Sequence, residues 1–481
     1  MAYRVYMILM LASMAVLCGS HCLVRAAPAA KDAVTIADEL QLFLDDRLIA
    51  SMRNLELKLH SPRPAEIVLR KDKPWEDEVM YDPVVIKDGV RYRMWYRTNF
   101  NAPPFYTGYA ESEDGIRWTK PSLGLIAFGG SKDNNLVWSS GRDKRNGCVL
   151  SVFKDTNPRA ADDERYKAIA VTDGCKAILG LVSGDGIRWR LLQKEPIIRG
   201  PAEDLFFDSH NIVFWDAARD QYVAYLRGWP TGWPKGIRGL RRAVSENFRN
   251  WSPLEYLDLG DAGPEHLYKN AATPYYRRPD ILLMFPKRFV ETRQADPTWK
   301  EKGLSDIVFM FSRDGLHWDR RFMEAFLRPG PDPLNWHERA IEVGQGLVPT
   351  ADGRMSLYYI EHYRTDSVRI RRGVLRVDGL VSVHAGYPVG ELVTRPLVFR
   401  GDRLAVNYAT SAAGSVRVEI QDAAGEPVAG YAMSECAEIY GDELCRVVSW
   451  AGTADVSKLA GRPVRLRIRL QDADLYSFRF R

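Results

Sequence analysis

Three carboxylates, Asp82, Asp208 and Glu265, each stand just ahead of a β-rich stretch: in Met80-Tyr81-Asp82-Pro83, in Phe207-Asp208-Ser209-His210-Asn211, and beside His266. Cleaving a glycosidic bond requires two carboxyl groups flanking it, one donating a proton and the other attacking or activating water. Singly, each of the three reads as a turn cap or a solvated charge. Their shared position ahead of successive stretches joins Asp82, Asp208 and Glu265 into one candidate catalytic set.

The same positions hold His210, Asn211, His266, Asn270, Glu338 and Gln345. A second group follows the next stretch of each unit: Arg97, Arg227, Trp229, Trp233, Lys287, Arg288, Glu361 and His362. In a propeller blade, the start of the first strand and the loop after the second meet at one mouth of the central channel. Substrate contacts are therefore expected from Arg97, His210, Asn211, Arg227, Trp229, His266, Asn270, Arg288, Glu338, Glu361 and His362. Asp155 follows a first strand and belongs to the opposite face. Arginine and lysine at the mouth suit carboxylate or sulfate groups, and equally read as solvated charge. Trp229 and Trp233 suit sugar faces or core packing. The histidines lack metal-ligand spacing and read as sugar hydrogen-bonders, so no catalytic metal or cofactor is expected. Oxygen ligands along the channel leave room for a structural Ca²⁺.

The elements that must position these residues repeat. Ser112-Glu113-Asp114-Gly115-Ile116-Arg117-Trp118 recurs as Ser183-Gly184-Asp185-Gly186-Ile187-Arg188-Trp189 and Ser312-Arg313-Asp314-Gly315-Leu316-His317-Trp318, with a degenerate copy at Ser245-Glu246-Asn247-Phe248-Arg249-Asn250-Trp251. The tryptophans are spaced by 71, 62 and 67 residues, the length of a four-stranded unit with its loops. Asp-Gly supplies a turn with positive φ, while Ser and Asp bond local amides. With a fifth unit lacking the motif, the pattern predicts an all-β chain: a five-bladed β-propeller over 35–386, closed by a strand from 40–50, then a β-sandwich over 387–481.

The 481 residues carry 67 basic and 62 acidic side chains, a formal charge of +5 without a long basic run, which argues against nucleic acid as partner. An apolar run from Val5 to Leu17, followed by Ala26-Ala27-Pro28-Ala29-Ala30, reads as a secretory signal peptide over 1–26 and is short for a membrane span. Export to the periplasm or beyond follows. In that oxidising setting, Cys436 and Cys445 could close a short loop, and Cys148 with Cys175 could join neighbouring strands.

The Asp82-Pro83 opening, the repeated Ser-x-Asp-Gly-x-x-Trp turns and the trailing sandwich resemble the five-bladed propeller superfamily that contains glycoside hydrolase families 32 and 43. Closest in pattern are exported bacterial family 32-like proteins, which share stretches such as Tyr408-Ala409-Thr410-Ser411-Ala412-Ala413-Gly414-Ser415. The resemblance implies that Asp82 is nucleophile or base, Asp208 an orienting or pKa-tuning group, and Glu265 the proton donor. It implies no fructan specificity, because Tyr81-Asp82-Pro83-Val84 departs from the family 32 signature. The expected function is that of an exported glycosidase acting on a carbohydrate substrate, with an acidic or sulfated glycan among the options. A non-catalytic glycan-binding propeller and a phosphate-dependent phosphorylase are the alternatives.

Overall fold

The computed structural model describes residues 33–98, 103–141, 147–172, 174–200, 207–208, 210–232, 236–350 and 353–481. The signal-peptide reading and Trp233 fall outside them. The described residues are all-β, their only helical turns being short 3₁₀ segments such as Asp46–Leu48.

Five antiparallel sheets follow one another along the chain. The first is Tyr81–Asp88, Arg91–Thr98, Tyr106–Ser112 and Leu136–Ser139. The second is built on Cys148–Lys154, Tyr166–Thr172 and Ala177–Ser183. The third is Ile212–Asp216, Gln221–Gly228, Gly239–Ser245 and Glu255–Tyr256. The fourth unit splits into two ladders, one on Arg278–Met284 and one on Lys287–Val290. Pro286 lies between them, and a residue without an amide hydrogen cannot continue the ladder. In the fifth, Glu342–Val343 and Val348–Thr350 both pair with Arg354–Glu361, which is followed by Arg369–Arg376.

The repeat motif joins sheets as well as turning the chain. Gly115, Gly186 and Gly315 all have positive φ, and the Asp two residues after each Ser accepts from two backbone amides, as Asp114 does from Ile116 and Arg117 at 2.8 Å. That turn presents the glycine carbonyl to the preceding sheet. Trp95 donates to Gly186 O at 2.8 Å, Tyr225 to Gly315 O at 2.9 Å, and Tyr358 of the fifth sheet to Gly115 O of the first at 2.7 Å. The degenerate copy breaks the rule on both sides at once. Its glycine position is Phe248, and the corresponding second-strand position of the preceding sheet is Ile169; both are buried in one apolar cluster. The fifth and first sheets also meet through Val85 N donating to Gln345 O and Gln345 N to Pro83 O, both 2.9 Å.

Residues 40–50 do not supply the outer strand of the fifth sheet. Arg63–Arg70 pairs with Arg369–Arg376 in that place. The stretch 40–50 runs between two cores: Leu40, Leu42 and Leu44 pack with Phe285 and Leu357, whereas Phe43, Leu48 and Ile49 pack with Val383, Leu404 and Phe478. Its alternation is that of a strap apolar on both sides. The C-terminal unit is a ten-stranded hydrogen-bonded sheet built on Leu404–Asp422 and Pro463–Phe480, whose pairing breaks register between Thr410 and Ser415. It also takes Val34–Ala37, Gln41–Leu42, Ile49–Arg53 and Glu56–Leu59 from the start of the chain and Val381–Ala385 from before 387, so the two units share strands across the expected boundaries.

Cys436 and Cys445 are separate thiols. Cys436 is buried and its Sγ accepts from Val418 N, while exposed Cys445 lies 3.3 Å from Arg481 Nη1. The side chain of Cys148 lies outside the description, and its pairing with it.

Candidate functional site

The first strand of the first sheet is irregular where Asp82 sits. Tyr81 pairs with Arg97, the register then shifts before Val84, and Asp82 takes φ +55, a left-handed conformation that aspartate tolerates better than most residues. With Pro83 next, the ladder is interrupted at this point and the Asp82 carboxyl is buried.

Lys269 Nζ donates to Asp82 Oδ1 at 2.5 Å and lies 2.5 Å from Glu342 Oε1. Glu342 Oε2 accepts from Lys287 Nζ at 3.1 Å, and His210 Nδ1 approaches Asp82 Oδ1 to 3.7 Å. Four units thus contribute to one buried cluster of ionisable groups. The Asp82 and Glu342 side chains are each 1% exposed, and Asp82 Oδ2 and His210 Nε2 are buried with no hydrogen-bond partner.

Burial and charge push the two carboxyls apart. Removal from water raises the Asp82 pKa to about 7, Lys269 opposing and the Glu342 charge reinforcing the rise. Burial alone would raise Glu342 too, but the ammonium groups of Lys269 and Lys287 outweigh it and hold that carboxyl well below the usual range. Burial lowers Lys287 to about 8 and His210 to about 3, so His210 is a neutral imidazole. One carboxyl is poised to carry a proton near neutrality beside another that stays ionised.

Aromatic rings and guanidinium groups wall the cluster. The Lys269 ammonium sits 4.3 Å from the Tyr81 ring centre, Arg97 stacks on the same ring at 4.7 Å and donates to its hydroxyl, and Tyr363 meets it edge-on at 5.6 Å. Glu338 accepts from Arg364 at 2.9 Å and lies 2.5 Å from Arg339 Nε.

Of the residues singled out in the sequence, Asp82, His210, Arg97 and Lys287 meet here, and Glu338 borders them. Asp208 is exposed, its charge felt by the buried Tyr81 hydroxyl. Glu265 is 26% exposed and is held by Arg320 at 2.5 Å and Arg288 at 3.4 Å; Arg288 in turn grips Asp306 with two bonds of 2.8 and 2.6 Å. Asn211 and Asn270 fasten backbone: Asn211 accepts from Arg227 N, and Asn270 donates to Tyr225 O. Glu361 is paired with Arg369 and Arg371, and His362 with Asp332 at 2.8 Å. His266 lies 3.1 Å from Arg238, whose guanidinium covers Trp229 at 4.8 Å. Asp155 is bonded to Lys167 and Tyr222, away from this cluster.

Sequence reasoning missed Lys269 and Glu342. Both had a signal: Lys269 adjoins Asn270, and Glu342 is a lone charge between Ile341 and Val343. Among the described residues, no three His, Cys, Asp or Glu side chains converge as a metal site, and no helix is long and apolar enough to cross a membrane.

No protein-family profile matches the chain. Two curated proteins of Mycobacterium tuberculosis, from strains CDC 1551 and H37Rv and both described as uncharacterized, are 31% identical over 175 residues, 34% of this chain and 50% of theirs. The matched part therefore spans about half the length of those relatives. Similar solved structures include an N-acetylgalactosamine deacetylase from F. plautii in complex with blood group B trisaccharide, at 15% identity and TM-score 0.46, covering 66% of this chain and 94% of that one. A structure from the GH130 family of mannoside phosphorylases, described as containing glycoside hydrolases that target β-1,2 mannosidic linkages in Candida mannan, aligns at 14% identity and TM-score 0.45, covering 66% and 94%. A glycosyl hydrolase from Bacteroides ovatus aligns at 13% and 0.42, covering 71% and 99%.

Proposed function

We propose that the five sheets are the blades of a closed five-bladed β-propeller carrying a C-terminal β-sandwich, and that the chain is an exported carbohydrate-active enzyme hydrolysing O-glycosyl bonds at Asp82 and Glu342. The contacts of the fifth sheet with the first support the ring, and the apolar run near the N-terminus supports export. The observation that carries the chemistry is the carboxyl pair bridged by Lys269, with one pKa raised and the other lowered. Asp82, keeping its proton near neutral pH, is the donor to the departing oxygen; Glu342, held ionised by two lysines, is the nucleophile or base. This gives Asp82 the donor's part expected of Glu265, which two arginines hold elsewhere, and gives Glu342 the part expected of Asp82. Release of sugar from a panel of neutral, uronate-containing and sulfated glycans tests this reading: turnover abolished by both Asp82→Asn and Glu342→Gln supports it, and turnover untouched by both overturns it.

A glycan-binding propeller without turnover is favoured by one observation. Both carboxyls are 1% exposed, so a substrate reaches them only when neighbouring side chains part. Saturable glycan binding with no product across the panel would select that reading.

A further inference from the structure

Four cations surround one ring next to the carboxyl pair. Tyr268 has Arg227 at 4.1 Å from its centre, Arg238 at 4.8 Å, Arg339 at 5.1 Å and Lys287 at 5.6 Å. Two are paired with a carboxylate, each shared with another cation: Arg339 with Glu338 and Lys287 with Glu342. Two are not. Arg227 is 2% exposed and its Nη2 donates to a backbone carbonyl, that of Tyr268, at 2.7 Å, while its Nε is buried without a hydrogen-bond partner. Arg238 shares Nη1 with His266 Nδ1 at 3.1 Å, and its Nε is likewise buried and unbonded. Neither forms an ion pair among the described residues. The carboxylate whose charge reaches Arg238 is Glu291, which is 59% exposed and sits 3.7 Å from His266.

A buried guanidinium without a counter-charge is costly, and two more guanidinium-bearing neighbours add repulsion. The Tyr268 face offsets part of this by attraction between cation and ring, and it leaves the Nε–H of each arginine unsatisfied. A planar fork of N–H donors is the geometry that grips an oxyanion through two parallel bonds. Arg238, Arg339 and Tyr268 are partly exposed, so this edge of the cluster meets solvent.

We infer that the Tyr268 basin is a binding site for an oxyanion group, a carboxylate, sulfate or phosphate, seated between Arg227 and Arg238. It adjoins the carboxyl pair through Lys287, which faces Tyr268 and bonds Glu342. Under the proposed function, the anion is either a substituent on the glycan beside the cleaved bond or inorganic phosphate acting as acceptor. Anion binding itself stands independently of whether Asp82 and Glu342 cleave anything.

The test uses the full chain, with thermal unfolding and calorimetric titration against sodium glucuronate, sodium sulfate and inorganic phosphate, each compared with sodium chloride at equal ionic strength. Saturable binding and a raised Tm with at least one oxyanion, absent with chloride, are expected. Arg227→Met should weaken that binding at least tenfold while leaving the anion-free Tm equal to or above the parent's, because repulsion is relieved. A purely structural arginine would instead lower the Tm and leave anion binding intact, which overturns the inference. Arg238→Gln, at a partly exposed position, supplies the same comparison if Arg227→Met does not fold. No preference for any oxyanion over chloride in the parent also overturns it. A response to phosphate alone points to the acceptor; a response to glucuronate or sulfate points to the glycan substituent. Loss of turnover without loss of anion binding would separate failure of the catalytic reading from failure of this one.

Discussion

Asp82 and Glu342 share a single ammonium group: Lys269 Nζ lies 2.5 Å from an oxygen of each. The carboxyls come from the first and fifth sheets and the lysine from the fourth unit, so the pair exists only when distant parts of the chain are assembled. Its protonation therefore reports on assembly as well as on chemistry.

Asp82 keeps its proton up to about pH 7 in the folded chain but releases it near 3.8 when unfolded. Because the folded state then binds more protons, this group's contribution to stability falls as pH rises from about 4 to about 7 and is level above. Asp82→Asn removes that slope. Denaturant midpoints of parent and variant, measured from pH 4 to 8, should diverge in the variant's favour up to about pH 7. Parallel curves would show that Asp82 is ionised throughout. On the proposed mechanism, turnover should fall above about pH 7 as Asp82 loses its proton.

Glu342→Gln leaves Lys269 and Lys287 buried with the Asp82 carboxyl as their remaining acidic partner in the cluster. Removing one member of a buried charge network costs about 3–5 kcal/mol, and loss of a positioned catalytic group costs about 10²–10⁴ in rate. Urea unfolding and turnover should both show the change, with stability lost more in Glu342→Gln than in Asp82→Asn. Equal stability loss would mean the lysines take their balance elsewhere.

The bond from Tyr358 to the Gly115 carbonyl makes a measurable seam. Tyr358→Phe should cost about 1 kcal/mol. Gly115→Ala should cost more, since its φ is +74 and a Cβ would stand 2.9 Å from the Tyr358 hydroxyl oxygen. In the double variant the two effects should fail to add, because removing the hydroxyl makes room for the methyl. Strict additivity would place the strain elsewhere.

Cys445 is exposed, whereas Cys436 is buried and its thiol pKa is raised, chiefly by burial. Alkylation of the native protein without reductant should modify Cys445 readily and Cys436 only after unfolding. A crosslinked peptide joining the two would contradict the separate thiols.

How far the sequence carried each part follows from where its physics is written. The Ser-x-Asp-Gly-x-x-Trp turns were legible because cap, glycine and tryptophan act within seven residues. Asp82 was legible because the Asp-Pro step marks an interrupted strand. Glu342 and Lys269 were not, since their meaning depends on a register shift at Asp82 and on which units touch. Glu265 looked equivalent to Asp82 by position, but Arg288 and Arg320 tie it down, and neither contact is encoded locally. The stretch 40–50 read as a strand closing the ring because its apolar residues alternate; they alternate between two cores. Arg63–Arg70 hid behind its charge.

That outer strand has a consequence for synthesis. Arg63–Arg70 pairs with Arg369–Arg376, and Arg371 reaches Ala65 across 306 residues of chain. At translation rates of about 5–20 residues per second, a gap of that size takes roughly 15 to 60 seconds to make. For that interval the early strand is an edge awaiting its partner, the kind of edge that recruits other chains. Arg63, Glu66 and Arg70, exposed in the finished protein, keep it charged while it waits, and Glu66 later receives Arg372. The side chains that disguised this strand in the sequence also guard the nascent chain against premature pairing.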